Sequence, residues 1–268
     1  MAIPAPGTYR SVMGSDEVLV EEDGPFRIIT MNRPQRRNAL SLSHMRALTA
    51  AFREVGETDV PGVILAGNGP AFCAGHDFGE VAGADLATVR ELLFASRELM
   101  ETIQAVPQVV IARVHGLATA AGCQLVAGCD LAVAAWNAGF AAPGGKGGWF
   151  CHTPMVPIAR NVGRKRAMEL ALTGEAIDAE TAQAWGLVNR AVPAEELEKA
   201  TRELLERATR GSPRSKALGK HAMYAQLDRP EADAYTYAIE VMAATSQTPE
   251  AQEGMRAFLE KRRPEWPA

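Results

Sequence analysis

No charge of one sign dominates this chain: 28 Lys and Arg stand against 32 Asp and Glu, a formal net charge of -4 over 268 residues. Without a block of like charges there is no electrostatic footprint for nucleic acid, and none is expected as a partner. Cysteine is scarce. Cys73, Cys123, Cys129 and Cys151 have no CxxC spacing, which removes zinc ribbons and paired redox motifs. With no secretion signal either, they read as reduced thiols of a cytoplasmic protein. Long apolar runs are missing too. The apolar stretches are short and broken by Gly, Pro and charge, so no membrane partner is expected.

The common chemical motifs are also absent. GNGPAF (67–72) carries Phe72 where a dinucleotide fingerprint needs its third Gly. GGKGG (144–148) fails as a phosphate loop, with Phe140 in place of the first Gly and Gly147 in place of Ser or Thr. The histidines at 44, 76, 115, 152 and 221 are scattered and form no HExxH, so no metal is expected. A G-x-S-x-G nucleophile turn is missing as well.

What is present is alternation of strands and helices over enough apolar residue, 47%, to build one large core. EVLVEE (17–22) and FRIITMN (26–32) flank Asp23-Gly24-Pro25 after a proline-containing N-terminal tail, which predicts a hairpin. Ser43 is read as the N-cap of a helix reaching Thr58, with Met45, Leu48, Phe52 and Val55 on one face. GVILAG (62–67), QVVIARV (108–114) and DLAVAA (130–135) read as buried strands, the first two separated by a helical stripe over 84–106. This pattern predicts an α/β core with βα crossovers over 1–195. Helical segments near 163–172 and 178–185 and a short strand over 187–192 close it. Pro193, Pro213, Pro230 and Pro249 then mark helix starts, where a missing N–H does no harm. Residues 196–268 are thus a helical C-terminal region that packs on its own core or on a neighbouring subunit.

Two junctions of small residues follow buried strands: AFCAGHDF (71–78) and HGLATAAGC (115–123). Small residues let a ligand approach bare peptide N–H groups, and at a helix N-terminus those groups are unpaired and lie at the positive end of the dipole. Two such junctions facing each other would stabilise charge on a carbonyl oxygen. Close helix–strand packing calls for the same residues, so both readings stay open on spacing alone.

The segments NRPQRRNALS (32–41), AFCAGHDF (71–78), HGLATAAGCQLVAGCDLAVA (115–134), ALTGEAIDAETAQAWGLVNRAVP (171–193) and EGMRAFLEKRRP (253–264) resemble, in order, the crotonase or enoyl-CoA hydratase/isomerase superfamily. The resemblance implies a spiral of ββα units with a helical C-terminal region for trimerisation. It also implies homotrimers or dimers of trimers that take acyl-CoA thioesters, with coenzyme A as part of the substrate and no tightly bound cofactor. It puts the two oxyanion N–H groups on His76 and Ala121, and substrate or CoA contacts on Arg36, Arg37, Ala39, Ala74, Asp77, Phe78, Pro143, Gly144 and Trp149. Phe258 and Lys261 match residues that reach the CoA of a neighbouring subunit. Asp77 is read as fixing its loop. His115 is read as a loop-holding hydrogen-bonding residue, His44 and His221 as packing or surface residues, and Met223, Met242 and Met255 as core or interface fillers.

The departures carry as much information. Both glutamates that activate water in hydratases of that family are missing: Gln124 holds the first position and Gly144 the second. A neutral amide can orient water but cannot take its proton. In WFCHTP (149–154), His152 is the leading substitute for proton transfer because its ordinary pKa lies near working pH. Cys151 and the ring of His76 are further candidates. The expected function is acyl-CoA processing of the hydratase/isomerase type. The alternatives are a non-catalytic acyl-CoA binder, or another acyl-CoA reaction such as isomerisation, decarboxylation or thioester hydrolysis.

Overall fold

The computed structural model describes residues 10–12 and 15–266; the proline-containing start of the chain lies outside them. Strand β1 (Arg10–Val12) pairs with β2 (Ser15–Asp23), which turns through Gly24 into β3 (Phe26–Met31), the predicted hairpin. Helix α1 (Leu42–Gly56) starts one turn signal earlier than expected: Ser41, not Ser43, is the N-cap, its hydroxyl accepting the His44 N–H at 3.2 Å. The chain then repeats one unit. Strands β4 (Gly62–Gly67) and β5 (Ala71–Cys73) lead to α2 (Phe78–Val81) and α3 (Leu86–Ala105). Strands β6 (Val109–Val114) and β7 (Leu117–Thr119) lead to α4 (Ala121–Gly128). Strands β8 (Leu131–Ala135) and β9 (Gly139–Ala141) lead to α5 (Met155–Val162) and α6 (Arg164–Thr173).

The first strand of each unit joins a seven-stranded sheet ordered β1-β2-β3-β4-β6-β8-β11, and the second joins a four-stranded sheet ordered β10-β9-β7-β5. Here β10 is Ile177–Asp178, followed by α7 (Ala179–Trp185) and β11 (Arg190–Val192). Each unit therefore advances one strand in both sheets, which is a spiral. Because β4, β6 and β8 are parallel and covered on both faces, they read as continuous apolar runs rather than alternating ones. One core, including Leu65, Phe72, Val114 and Phe140, fills the spiral, and every residue of α4 is buried in it. β11 is shorter than predicted because Leu187 and Val188 leave the strand to fill that core.

Helix α8 (Leu197–Thr209) covers the opposite face of the large sheet, with Leu197, Ala200 and Leu205 against Ile64, Ile111 and Val133. By packing it belongs with the core, although it lies beyond residue 195. Helices α9 (Pro213–Gln226) and α10 (Glu231–Thr245) bury no residue, and α11 (Pro249–Leu259) buries Glu250 and Ala257. Met223, Met242 and Met255 are exposed on them rather than part of a core.

What ties α9 down is polar. Asp130, at the start of β8, accepts from the buried Lys220 ammonium at 2.8 Å, from the Tyr224 hydroxyl at 2.8 Å and from the Val110 N–H at 2.8 Å. Lys220 also donates to the Ile103 and Gln108 carbonyls. Removing one member of a buried pair leaves a charge without its partner, which costs about 3–5 kcal/mol. Lys220→Met is therefore expected to lower urea-unfolding stability by that order, and Lys220→Met with Asp130→Asn by less than the sum of the single losses.

Candidate active site

The site is built where α4 meets the end of β5. Gly122 lies so close to that strand that a Cβ on it would stand 2.2 Å from the Cys73 carbonyl oxygen, a contact no side chain can make. Gly75 sits against the same turn, its missing Cβ 3.2 Å from the Ala121 nitrogen. Ala120 is forced to φ 50°, ψ -117°, a left-handed conformation that costs a non-glycine residue of order 1–3 kcal/mol. That strained peptide opens α4, and the Ala121 N–H has no hydrogen-bond partner among the described residues. The His76 N–H has none either, since the neighbouring bonds to Leu40 are made by the Gly75 carbonyl and the Asp77 N–H. The two small-residue junctions thus meet, each with an unpaired peptide donor.

Around them lies a cavity of about 710 Å³. Ala74, His76 and Phe78 form one wall, Thr119 and Ala120 another, and Pro143, Gly144, Trp149 and His152 the third. The Trp149 ring stands 6.2 Å from the His76 ring and 6.0 Å from the Phe78 ring, giving an aromatic rim. Loop 143–151 folds back on itself at Gly144, whose carbonyl accepts the Trp149 N–H at 2.9 Å. A Cβ on Gly144 would meet the Trp149 carbonyl at 2.1 Å and the Cys151 sulfur at 2.8 Å. Backbone and thiol therefore occupy the space that a side chain at 144 would need.

The titratable groups divide clearly. Burial pushes the Cys151 thiol up, against a smaller effect of the Gly144 N–H it accepts at 3.3 Å, so it stays protonated and is no activated nucleophile. Burial pulls the His76 imidazole down to about 4, and neither ring nitrogen has a hydrogen-bond partner among the described residues. His152 is exposed on the cavity, its Nδ1 2.9 Å from the Phe150 carbonyl. A carbonyl only accepts, so in the neutral ring Nδ1 carries the proton and Nε2 keeps its lone pair.

Outside the cavity, Asp77 caps α2 and holds Arg36 at 2.8 Å and Arg33 at 3.3 Å. Burial raises this carboxyl, but the Arg36 hydrogen bond, the Gly79 N–H and the two guanidinium charges together leave it below the ordinary range. Arg37 is exposed in a left-handed conformation, with its carbonyl accepting the Ala74 N–H. Ala39 is buried and its carbonyl accepts from Arg33.

A sequence model of the enoyl-CoA hydratase/isomerase family matches residues 23–268. The chain belongs to that family, the crotonase superfamily. It is 40% identical over 248 residues to the enoyl-CoA hydratase domain-containing protein 3, mitochondrial, of Rattus norvegicus, covering 92% of this chain and 82% of that one. It is 32% identical to a probable enoyl-CoA hydratase of Mycobacterium bovis, over 95% of this chain and 99% of that one. An enoyl-CoA hydratase crystal structure from Mycobacterium smegmatis superposes with a TM-score of 0.90 at 44% identity, over 94% of this chain and 99% of that one. The human enoyl-CoA hydratase domain-containing protein 3 gives 0.89 at 37% identity, over 93% of this chain and 100% of that one. These findings also correct one expectation: the cytoplasmic placement read from the thiols does not stand, because relatives at 40% identity are named mitochondrial proteins.

Within this crotonase fold, Gln124 does not line the cavity of His76; it lines a neighbouring one of about 480 Å³. Phe258 and Lys261 line neither; Phe258 is 82% exposed. His115 holds the Gly69 carbonyl at 2.9 Å, His221 holds the Ala105 carbonyl at 2.7 Å, and His44 is fully buried against the Ala39 carbonyl. Three contributors went unread in the sequence. Asn38, buried at φ 55°, donates to the Asn68, Ala71 and Phe72 carbonyls and fixes the Arg33–Ala39 turn. Arg33 braces Asp77, and Thr119 presents a buried hydroxyl without a partner. An Asn between an Arg pair and the start of a helix is a faint signal of the first; the others left none.

The buried histidines make a pH prediction. His44 and His76 are both lowered to about 4 from 6.5, chiefly by burial, so the unfolded chain binds their protons first as pH falls. Their stability contribution is complete above pH 6.5 and is lost progressively down to about 4, of order 3 kcal/mol for each. The melting temperature should fall across that window. His76→Leu, which leaves no polar partner orphaned, should flatten part of the fall.

Proposed function

We propose that this protein binds acyl-CoA thioesters and processes them through an enolate, with the thioester oxygen held by the His76 and Ala121 N–H groups. The observation that carries the proposal is the meeting of those two unpaired donors at a buried helix start. Such donors matter most where charge develops on the oxygen. Coenzyme A enters as part of the substrate. Arg36 and Arg37, exposed beside the cavity entrance loop, suit its phosphates through their guanidinium forks, with Ala39 in the same turn. Ala74, Phe78, Pro143 and Trp149 would line the acyl group. Proton transfer falls to His152, whose Nε2 is free. A specific observation favours a second reading: among the described residues no carboxylate lines the cavity of His76 and there is no room for one at 144, so the pocket suits binding of the thioester without turnover of the hydratase kind.

Crotonyl-CoA separates the readings. General acid–base groups contribute about 10²–10⁴-fold, so enone absorbance should decay slower by about that factor than with a two-glutamate hydratase of the family. Binding should be retained. Decay at the control rate would sink the claim that the missing carboxylates matter. Ala121→Pro, at a first helical position where proline is tolerated, should cost about 10²–10³-fold in any turnover; unchanged turnover in a folded variant removes the role given to that N–H.

The proposal extends to a homotrimer or dimer of trimers assembled on α9–α11, where Ile239, Met242, Phe258 and Leu259 are exposed at 61%, 77%, 82% and 80%. There Phe258 and Lys261 would reach a neighbouring subunit's CoA. Light scattering should give three or six times the 28.7 kDa chain mass; a monomer would refute this assembly.

A further inference from the structure

One cavity opens just before the start of helix α4, beside Thr119 and Ala120, and another lies along the helix. The second, of about 480 Å³, runs along it from Gln124 to Asp130 and is closed by residues of α3, α5 and α9. Thr153 lines both cavities, so it stands between them. Gln124 marks the near end of the second. Its residue exposure is 4%, its Oε1 is buried without a partner, and its amide makes no hydrogen bond among the described residues. A primary amide offers two donors and an acceptor oxygen; leaving that oxygen unpaired in the interior is destabilising. Native structures keep few such groups, and each calls for an explanation.

The charges on the second cavity's wall are already matched. Arg97 pairs with Glu101 at 2.6 Å, Arg160 pairs with Asp228 at 3.1 Å, and Asp130 takes Lys220 and Tyr224, each at 2.8 Å. No ionic group is left to attract a charged ligand, whereas the Gln124 amide is left to hydrogen-bond a neutral one. Its place along the helix sets the distance. Gln124 follows Ala121 by three residues, a rise of about 4.5 Å, and lines the second cavity, which shares Thr153 with the first.

Resting on the thioester reading above, we propose that Gln124 selects acyl chains that carry a neutral hydrogen-bonding group, a hydroxyl or a ketone, on the γ carbon or beyond. The rest of such a chain occupies the second cavity. In this reading Gln124 is a specificity residue: it recognises the chain and takes no proton. The donors of the amide meet the ligand oxygen.

Titration calorimetry on the full chain tests this with four thioesters of one chain length: hexanoyl-CoA, its γ-oxo and ω-hydroxy counterparts, and the ω-carboxy one. The neutral polar pair should bind about tenfold more tightly than hexanoyl-CoA, since an otherwise unpaired buried amide gains its partner. Gln124→Leu should erase that difference, and a second variant, Gln124→Met, covers the case in which Leu does not fold. Equal wild-type affinities for all four would overturn the selection and leave the thioester reading standing. A preference that survives in both variants would overturn the assignment to Gln124, and tightest binding of the ω-carboxy probe would overturn neutral recognition. No binding of any probe, hexanoyl-CoA included, would overturn the thioester reading and this inference with it.

Discussion

The site depends on one steric constraint, the seating of helix α4 directly on the carbonyl end of β5. Gly122 permits that seating because its neighbour is the Cys73 carbonyl, with no room for a methyl group. From it follow the bent peptide at Ala120, the unpaired Ala121 N–H, and the approach of Gly75 and so of His76. The spiral supplies the rest. Since successive units add strands to both sheets in step, β5, β7 and β9 present their ends along one edge of the four-stranded sheet, where the loops at 74–78, 119–121 and 142–152 converge. A cavity bounded by three loops of three consecutive units is thus a product of the repeat itself.

Positions 124 and 144 each lack a carboxylate, and the space around them differs. Gln124 carries an amide on a fully buried helix, where a side chain of that length fits. At Gly144 the Trp149 backbone and the Cys151 thiol fill the space that a side chain would need, so a larger residue there would have to displace backbone and not merely solvent. The same loop sets Trp149 beside His76 and His152 onto the cavity, which shapes both the pocket and the chemistry available to it.

How much of this was legible in the sequence depends on what the residue does. Glycine and alanine at 74, 75 and 120–122 signal backbone approach wherever they occur, so both junctions could be read and the α/β alternation placed them after strands. Side-chain direction could not be read. Gln124 lies one turn from Ala121 on the same helix, yet it opens on another cavity, because which face of a fully buried helix meets which space is set by tertiary packing and not by periodicity. Helix caps failed for a smaller reason: Ser41 and Ser43 are both competent, and only the hydrogen bond to His44 separates them. The C-terminal helices were correctly bounded by proline, but their apolar faces carry no helical stripe that distinguishes a core from an interface.

The distribution of unpaired polar atoms adds a last physical argument. Nine buried side-chain nitrogen or oxygen atoms are without a hydrogen-bond partner among the described residues, and four of them belong to His76, Thr119 and Gln124. These three residues, with the strained Ala120, lie around the start of α4. A fold selected for stability alone would pair such atoms or replace them with apolar ones, since each orphan costs about 1–3 kcal/mol. Placing four of the nine near one helix start, beside two unpaired peptide donors, lowers stability where a ligand can restore it. The compensation is found elsewhere, in the continuous apolar core of the spiral and in the paired Asp130–Lys220–Tyr224 cluster that locks α9. Local rules broken in one place and obeyed around it are the mark of a site built for a partner.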